Sequence, residues 1–198
     1  MTISLKKGQK INLSKEKNGL SKIMVGLGWD AETQGQGCLF ALFSSQNIDC
    51  DASAFLLKDG KLLNENQDIV YFGRKKHKSG AVCHSGDNLT GAGKGDDEVI
   101  NVDLKTVPSD YNGIVFTVNI FSAHERKQHF GMIKNAYIRI VDLSSKVEIC
   151  KYNLSENYDK MTAMIAGELT KEGNEWHFNA IGEATQDNSI GDLKRRFM

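Results

Sequence analysis

Residues 86 to 98 read GDNLTGAGKGDDE, placing four acids, four glycines and one lysine in thirteen positions. Glycines let the backbone turn tightly and point carbonyl oxygens inward, and Asp87, Asn88, Asp96, Asp97 and Glu98 add side-chain oxygens. Hard oxygen donors in that number suit calcium, which takes about six to eight of them in tolerant geometry, better than magnesium or zinc. Two better-known loops are excluded by spacing. Asp87 and Glu98 stand at the ends of an EF-hand-length span, but its third, fifth and sixth places hold Leu89, Gly91 and Ala92. A Walker loop fails too: Lys94 is followed by Gly95 rather than Ser or Thr, and Asp96-Asp97-Glu98 would repel phosphate.

Two further stretches supply oxygen. Asn47-Ile-Asp-Cys-Asp-Ala-Ser53 carries Asp49 and Asp51, with Ser53 on the same side of an extended segment, and Gly26-Leu-Gly-Trp-Asp30 ends on Asp30. If folding brings these loops to one pole, the carboxylates of Asp30, Asp49, Asp51, Asp87, Asp96, Asp97 and Glu98 share a small volume. Two unit charges about 4 Å apart repel by roughly 4 kcal/mol at an effective dielectric near 20, so several such pairs rival the stability of a whole domain. A divalent cation removes the conflict. The same acids spread over separate solvated turns need no ion, and spacing alone leaves both readings open.

The elements that must position these loops are strands. In Ile114-Val-Phe-Thr-Val-Asn-Ile-Phe121 the residues Ile114, Phe116, Val118 and Ile120 share one face, with Thr117 and Asn119 on the other. Trp176, Phe178 and Ala180 line one face of Glu175 to Ile181, and Ile138 and Ile140 oppose Tyr137 and Arg139 in Ala136 to Val141. Further strands are expected at Ile23–Trp29, Leu39–Phe43, Ala52–Leu57, Val99–Leu104, Val147–Asn153 and Met161–Glu168, with a helical turn or two at Ser155–Lys160 and Asp192–Phe197. Many short strands separated by Gly, Asn, Asp or Ser predict an all-β fold, an antiparallel β-sandwich with a few short helices.

The single proline, Pro108, and the absence of a Pro- or Ser-rich linker predict one domain over residues 1–198. Lys plus Arg and Asp plus Glu are both 25, so no bulk charge draws the chain to nucleic acid or an anionic membrane. The N-terminal stretch lacks the apolar run of a secretory signal, and no segment approaches the length of a membrane span, so the expected location is cytoplasmic, with no membrane insertion. Four cysteines, at 38, 50, 83 and 150, form no C-x-x-C pair and are expected to be reduced thiols.

Taken together, Gly26-Leu-Gly-Trp-Asp30, Asp49-Cys-Asp-Ala-Ser-Ala-Phe-Leu-Leu57, His84-Ser-Gly-Asp-Asn-Leu-Thr-Gly91, Gly95-Asp-Asp-Glu98 and Phe130-Gly-Met-Ile-Lys-Asn-Ala-Tyr-Ile-Arg-Ile-Val-Asp142 closely resemble the TerD family of tellurium-resistance and general-stress proteins. Leu5-Lys-Lys-Gly-Gln-Lys-Ile-Asn-Leu13 and Glu175-Trp-His-Phe-Asn-Ala180 extend the resemblance over nearly the whole chain. It implies a cytoplasmic, calcium-binding β-sandwich tied to resistance to tellurite and other chemical damage, with no catalytic residue. The metal-binding positions it implies are Asp30, Asp49, Asp51, Asp87, Asn88, Asp96, Asp97 and Glu98, with backbone oxygens at Gly91 and Gly93. It also implies partners, a membrane-associated resistance complex of the TerC type and small cytoplasmic proteins. Lys94 departs from the pattern, since members often carry an acid there; the change weakens the local negative field.

Other reactive side chains have ordinary readings. Cys83 and His84 adjoin in a strand and point to opposite faces, so they cannot easily act as nucleophile and base. His124 and His129 lack the H-E-x-x-H spacing. Arg74-Lys-Lys-His-Lys78 has no interleaved aromatics for base stacking and reads as a solvated face, so no nucleic-acid partner is expected. Trp29 and Trp176 read as core. The expectation is a calcium-dependent, non-enzymatic binding module. The rival is a metal-assisted phosphoester hydrolase on the same acids, which would need a general base or oxyanion donor beside the metal.

Overall fold

The computed structural model describes residues 2–31, 48–85, 95–154 and 156–198. In chain order the described strands and helices are β1 (Ile3–Leu5), β2 (Lys10–Asn12), α1 (Leu13–Glu16), β3 (Lys22–Ala31), β4 (Cys50–Leu57), β5 (Ile69–Val70), β6 (Val82–His84), β7 (Glu98–Asp103), β8 (Gly113–Ile120), α2 (Ala123–Arg126), β9 (Ile133–Asp142), β10 (Val147–Asn153), β11 (Ala163–Glu172), β12 (Glu175–Thr185) and α3 (Ile190–Lys194). Among the described residues these strands form two six-stranded sheets, β1-β10-β9-β3-β7-β6 and β2-β12-β11-β8-β4-β5. The described pairings are antiparallel except β1 beside β10. The expected antiparallel sandwich is therefore the observed architecture.

Its core follows from the period-two pattern. Val25, Leu27, Ile100, Ile138 and Ile140 of the first sheet meet Ala52, Leu56, Phe116, Val118 and Phe178 of the second in one buried cluster. Trp29 and Trp176 are buried in it, as expected. The second sheet is covered on its outer side as well. Phe55, Leu57, Val115 and Ile165 pack there under Leu193 of α3 and Phe197, whose ring meets that of Phe55 edge-on at 5.5 Å. β4 and β8 are consequently buried along both faces. The near-continuous apolar run Ala54-Phe-Leu-Leu57 reflects that double burial.

Several expectations shift in detail. The C-terminal helix starts earlier, because Ser189 accepts a hydrogen bond from Asp192 N–H and so caps α3; a 3-10 turn at Arg195–Phe197 follows. Residues 156–160 form bends and turns rather than a helix, and Leu39–Phe43 lies outside the described residues. The short strands β1, β2, β5 and β6 were not legible, since strands of two or three residues exist only through their partners.

Far from the acidic loops, the β9–β10 turn is organised by Asp142. Its buried carboxylate accepts from Ser144 N–H at 2.9 Å, Ser144 Oγ at 2.7 Å and Ser145 Oγ at 2.6 Å, with Lys17 Nζ at 3.6 Å. Burial opposes ionisation here, but these donors outweigh it and hold the carboxyl well below its usual range. Such stabilisation is complete above the unfolded-state carboxylate pKa of about 3.9 and is lost as pH falls toward the lower folded-state value. Asp142→Asn is expected to destabilise the protein by about 2 kcal/mol at pH 7, since an amide nitrogen cannot accept from Ser145. Urea unfolding at pH 7 and pH 3 checks this: the gap to wild type should narrow at the lower pH, and a constant gap would assign the loss to something other than the charge.

Candidate metal centre at the acidic pole

Strand register brings the acidic stretches to one end of the sandwich. Leu27 of β3 pairs with Glu98 of β7, so Asp30 and the Asp96–Glu98 run share a pole. β4 enters at the same end. Burial pushes the Cys50 thiol well above its ordinary pKa, and the charges of Asp51, Asp49, Asp97 and Glu98 push it the same way. Six of the predicted carboxylates therefore gather at one pole: Asp30, Asp49, Asp51, Asp96, Asp97 and Glu98. Asp87, Asn88, Gly91 and Gly93 lie outside the described residues.

A bulge shapes this end. Gly28 pairs with Tyr137 and Asp30 with Lys134, so Asn135 and Ala136 of β9 together face the single residue Trp29. The extra residue is accommodated by Asn135 at φ 54°, a left-handed conformation that asparagine tolerates. Its side chain donates to Asp30 Oδ2 at 2.7 Å, which holds Asp30 at the exposed rim. On the other side of β3, Asp97 continues the ladder beyond Glu98. Its N–H donates to Leu27 O at 2.8 Å and its Oδ2 accepts from Trp29 N–H at 2.8 Å. Burial lifts the Asp97 carboxyl above its ordinary pKa; the Trp29 amide opposes this, and the charges of Asp30, Asp96 and Glu98 add to it.

The three consecutive acids face three environments. Asp96 lies on the outer side of the first sheet, where Arg139 Nε donates to Oδ1 at 2.7 Å and Nη2 to Oδ2 at 2.9 Å. Tyr137 OH donates to the same Oδ1 at 3.0 Å. Arg139 stands opposite Gly26 and Tyr137 opposite Gly28, so both side chains cross β3 over bare backbone. A methyl group at Gly26 would overlap the Asp96 carboxylate, and one at Gly28 the Tyr137 ring. Arg139 also donates to Glu148 Oε2 at 3.0 Å. Glu98, by contrast, is buried and pairs with His84, Oε2 to Nε2, at 2.8 Å. Across the pole, Asp51 sits on the outer face of β4 opposite Asn119, and Asp49 Oδ2 lies 3.8 Å from Arg126 Nη1.

The acids thus share a pole but face different partners. Among the described residues, no three or more His, Cys, Asp or Glu side chains are arranged to hold a metal ion. The donor set is nevertheless hard oxygen, and the charges of Asp30, Asp96 and Glu98 add to the burial that lifts Asp97; oxygen donors of this kind suit calcium. Asp96 has a cationic partner of its own. Cys83 and His84 of β6 point to opposite sides, partly exposed and buried respectively, as their adjacency predicts.

Pattern reading missed Arg139 and Tyr137, which it placed only on the face opposite Ile138 and Ile140. The available signal was Gly26-x-Gly28, two glycines on one strand face, which marks close approach by another group. It also missed His77. Lys75, Lys76 and Lys78 of the basic run are exposed, but His77 is buried with Nε2 3.4 Å from Asp68 Oδ1, and Asp68 also accepts from Tyr111 OH at 2.7 Å. Burial lowers the His77 pKa, with Asp68 opposing.

The TerD domain model matches residues 1–197. The chain belongs to the TerD family. It is 49% identical to stress response protein SCP2 of Bacillus subtilis (strain 168), over 100% of both chains. It is 44% identical to general stress protein 16U of the same organism, covering 94% of this chain and 92% of the relative. Tellurium resistance protein TerD of Serratia marcescens is 38% identical, with 92% and 91% covered. In fold, this TerD-family protein resembles a crystal structure of a telluride resistance protein homologue from Streptomyces coelicolor A3(2). The TM-score is 0.61 at 18% identity, over 87% of this chain and 94% of that one. No helix of the described residues is long and apolar enough to cross a membrane.

If Arg139 and Gly26 serve one contact, their loss should not add. Arg139→Met leaves a buried carboxylate without its partner and is expected to cost about 3 kcal/mol. Gly26→Ala should cost a similar amount by evicting Asp96, and the double variant little more than either alone. Denaturant unfolding of the three variants measures this; full additivity would show that Gly26 does not act through Asp96.

Proposed function

We propose that this protein is a stress-response member of the TerD family that binds calcium at its acidic pole and, without catalysis, offers a partner a surface whose order depends on the ion. The observation that carries this reading is the negative field at the pole. Asp97, buried and held by the Trp29 amide, has its carboxyl lifted by burial and by three neighbouring carboxylates. Asp49 and Asp51 enter the same region from the other sheet. Bound calcium supplies positive charge and tolerant oxygen coordination. Asp49, Asp51 and Asp97 would hold it, with Asp30 at the rim and Asp87, Asn88, Gly91 and Gly93 from the glycine loop.

Asp96 and Glu98 take a different part in this reading. Arg139 and His84 hold them on opposite sides of Asp97, which fixes the backbone on both flanks of that residue. The names of the relatives, stress response and tellurium resistance proteins, support a role in chemical stress. A cytoplasmic setting and a partner in a membrane-associated complex of the TerC type belong to the same proposal. The hydrolase rival needs a general base beside the metal, and the imidazole at the pole, His84, is turned to Glu98.

Calcium at about 100 times its Kd adds about 2.7 kcal/mol to a protein that binds it only when folded. For a chain of 198 residues that is a rise in Tm of roughly 5–10 °C. Thermal unfolding in chelator, then in excess calcium or magnesium, is expected to show this rise with calcium and little with magnesium. Asp49→Asn and Asp97→Asn should each remove most of it. Equal shifts from both ions, or an undiminished shift in both variants, would rule the reading out.

A further inference from the structure

On the outer face of the second sheet, next to the pole, Asp51 pairs with Asn119 and Ser53 with Thr117 across β4 and β8. All four residues are buried, Asn119 at 4% exposure. Among the described residues, Ser53 Oγ, Thr117 Oγ1 and Asn119 Oδ1 have no hydrogen-bond partner. Buried polar atoms are nearly always paired, so a group of three that are not calls for a ligand or water.

A cleft of about 440 Å³ opens over the Asp51–Asn119 end of this row. That volume falls within the range of small-molecule sites, about 300–1,000 Å³. Its walls include Phe72 and Phe121, which are 37% and 45% exposed, unusual for rings of that size. Glu125 joins Asp51 in the lining, and neither Lys nor Arg is part of it. The Phe121 ring already takes one cation: Arg126 Cζ lies 5.1 Å from its centroid. Ser122, beside that ring, sits at φ 50°, a conformation that non-glycine residues rarely adopt and that concentrates at ligand clamps.

We infer that this cleft binds a small organic cation, an amine or guanidinium on an apolar stem. The head group brings N–H donors to Asn119 Oδ1 and positive charge to Asp51 and Glu125; Phe72 and Phe121 flank the stem and the cation. An anion meets like charge here, and a purely apolar ligand leaves Asn119 unpaired. The cleft shares Asp51 with the proposed calcium site, whereas Asn119, Phe121 and Glu125 belong to none of the proposed ion ligands. The test is accordingly run in chelator, where failure of the calcium reading has no bearing on it.

The probes are butylguanidinium and butylurea, which match in shape and differ in charge. Isothermal titration and amide chemical-shift mapping of the full chain should show saturable binding of butylguanidinium, with shifts at Asn119 and Glu125. Butylurea should bind about tenfold more weakly, as befits loss of an ion pair and a cation–π contact. Phe121→Ala and Glu125→Gln change exposed side chains, so the fold is kept; each should weaken butylguanidinium roughly three- to tenfold. Equal binding of the two probes, undiminished binding in both variants, or no saturable binding of butylguanidinium at millimolar concentration would overturn the proposal.

Discussion

Arg139 grips the Asp96 carboxylate with two nitrogens across the bare backbone of Gly26, and the course of the chain into β7 depends on that grip. Because a partly buried bidentate pair is strong only when both partners are held in place, the contact ties Asp96 to the middle strands of the first sheet. Asp97 then falls where its backbone and side chain both serve β3, and Glu98 falls against His84. One anchored residue therefore sets the directions of the two acids that follow it.

This ordering changes how an acidic cluster should be understood. Three consecutive carboxylates would repel strongly if they faced one point, but here one is gripped by the Arg139 guanidinium and another pairs with the His84 imidazole, on opposite sides of the strand. The one between them remains in a negative field shared with Asp30 and with the entry of β4. The protein thereby confines its electrostatic conflict to a small region instead of spreading it over the pole. A bound cation has most to gain in such a region, and the cost of maintaining it without one is limited to a few residues.

The second sheet solves a different problem. Its outer face is covered by α3 and the C-terminal turn near Phe55 and Leu57, and toward the pole the apolar row gives way to a buried polar one, Asp51, Ser53, Thr117 and Asn119. A short helix closed at each end by a left-handed residue, Ser122 and Lys127, stands at that margin. At the Asp51–Asn119 end of that row lies a cleft whose floor is polar and whose walls include the rings of Phe72 and Phe121. The two features, a charged pole and a neighbouring cleft, share β4, since Asp49 and Asp51 lead directly into the strand that carries both.

Alternation alone was enough to find the long strands. Val147–Asn153 emerged with the boundaries that the fold shows, because hydrophobic periodicity is a local property. The clustering of acids into three stretches, and their family resemblance, were likewise present in the order of residues. What no local pattern could settle was direction. Asp96, Asp97 and Glu98 are chemically similar neighbours, and only the pairing of β3 with β7 and β9 decided which faces Arg139, which faces the Trp29 amide and which faces His84. His77 makes the same point: it sits among lysines in sequence but is buried against Asp68, a carboxylate nine positions away. Residue type and spacing determine what a side chain can do. The strand register and bulge, which arise from contacts distant in the chain, determine which partner it meets.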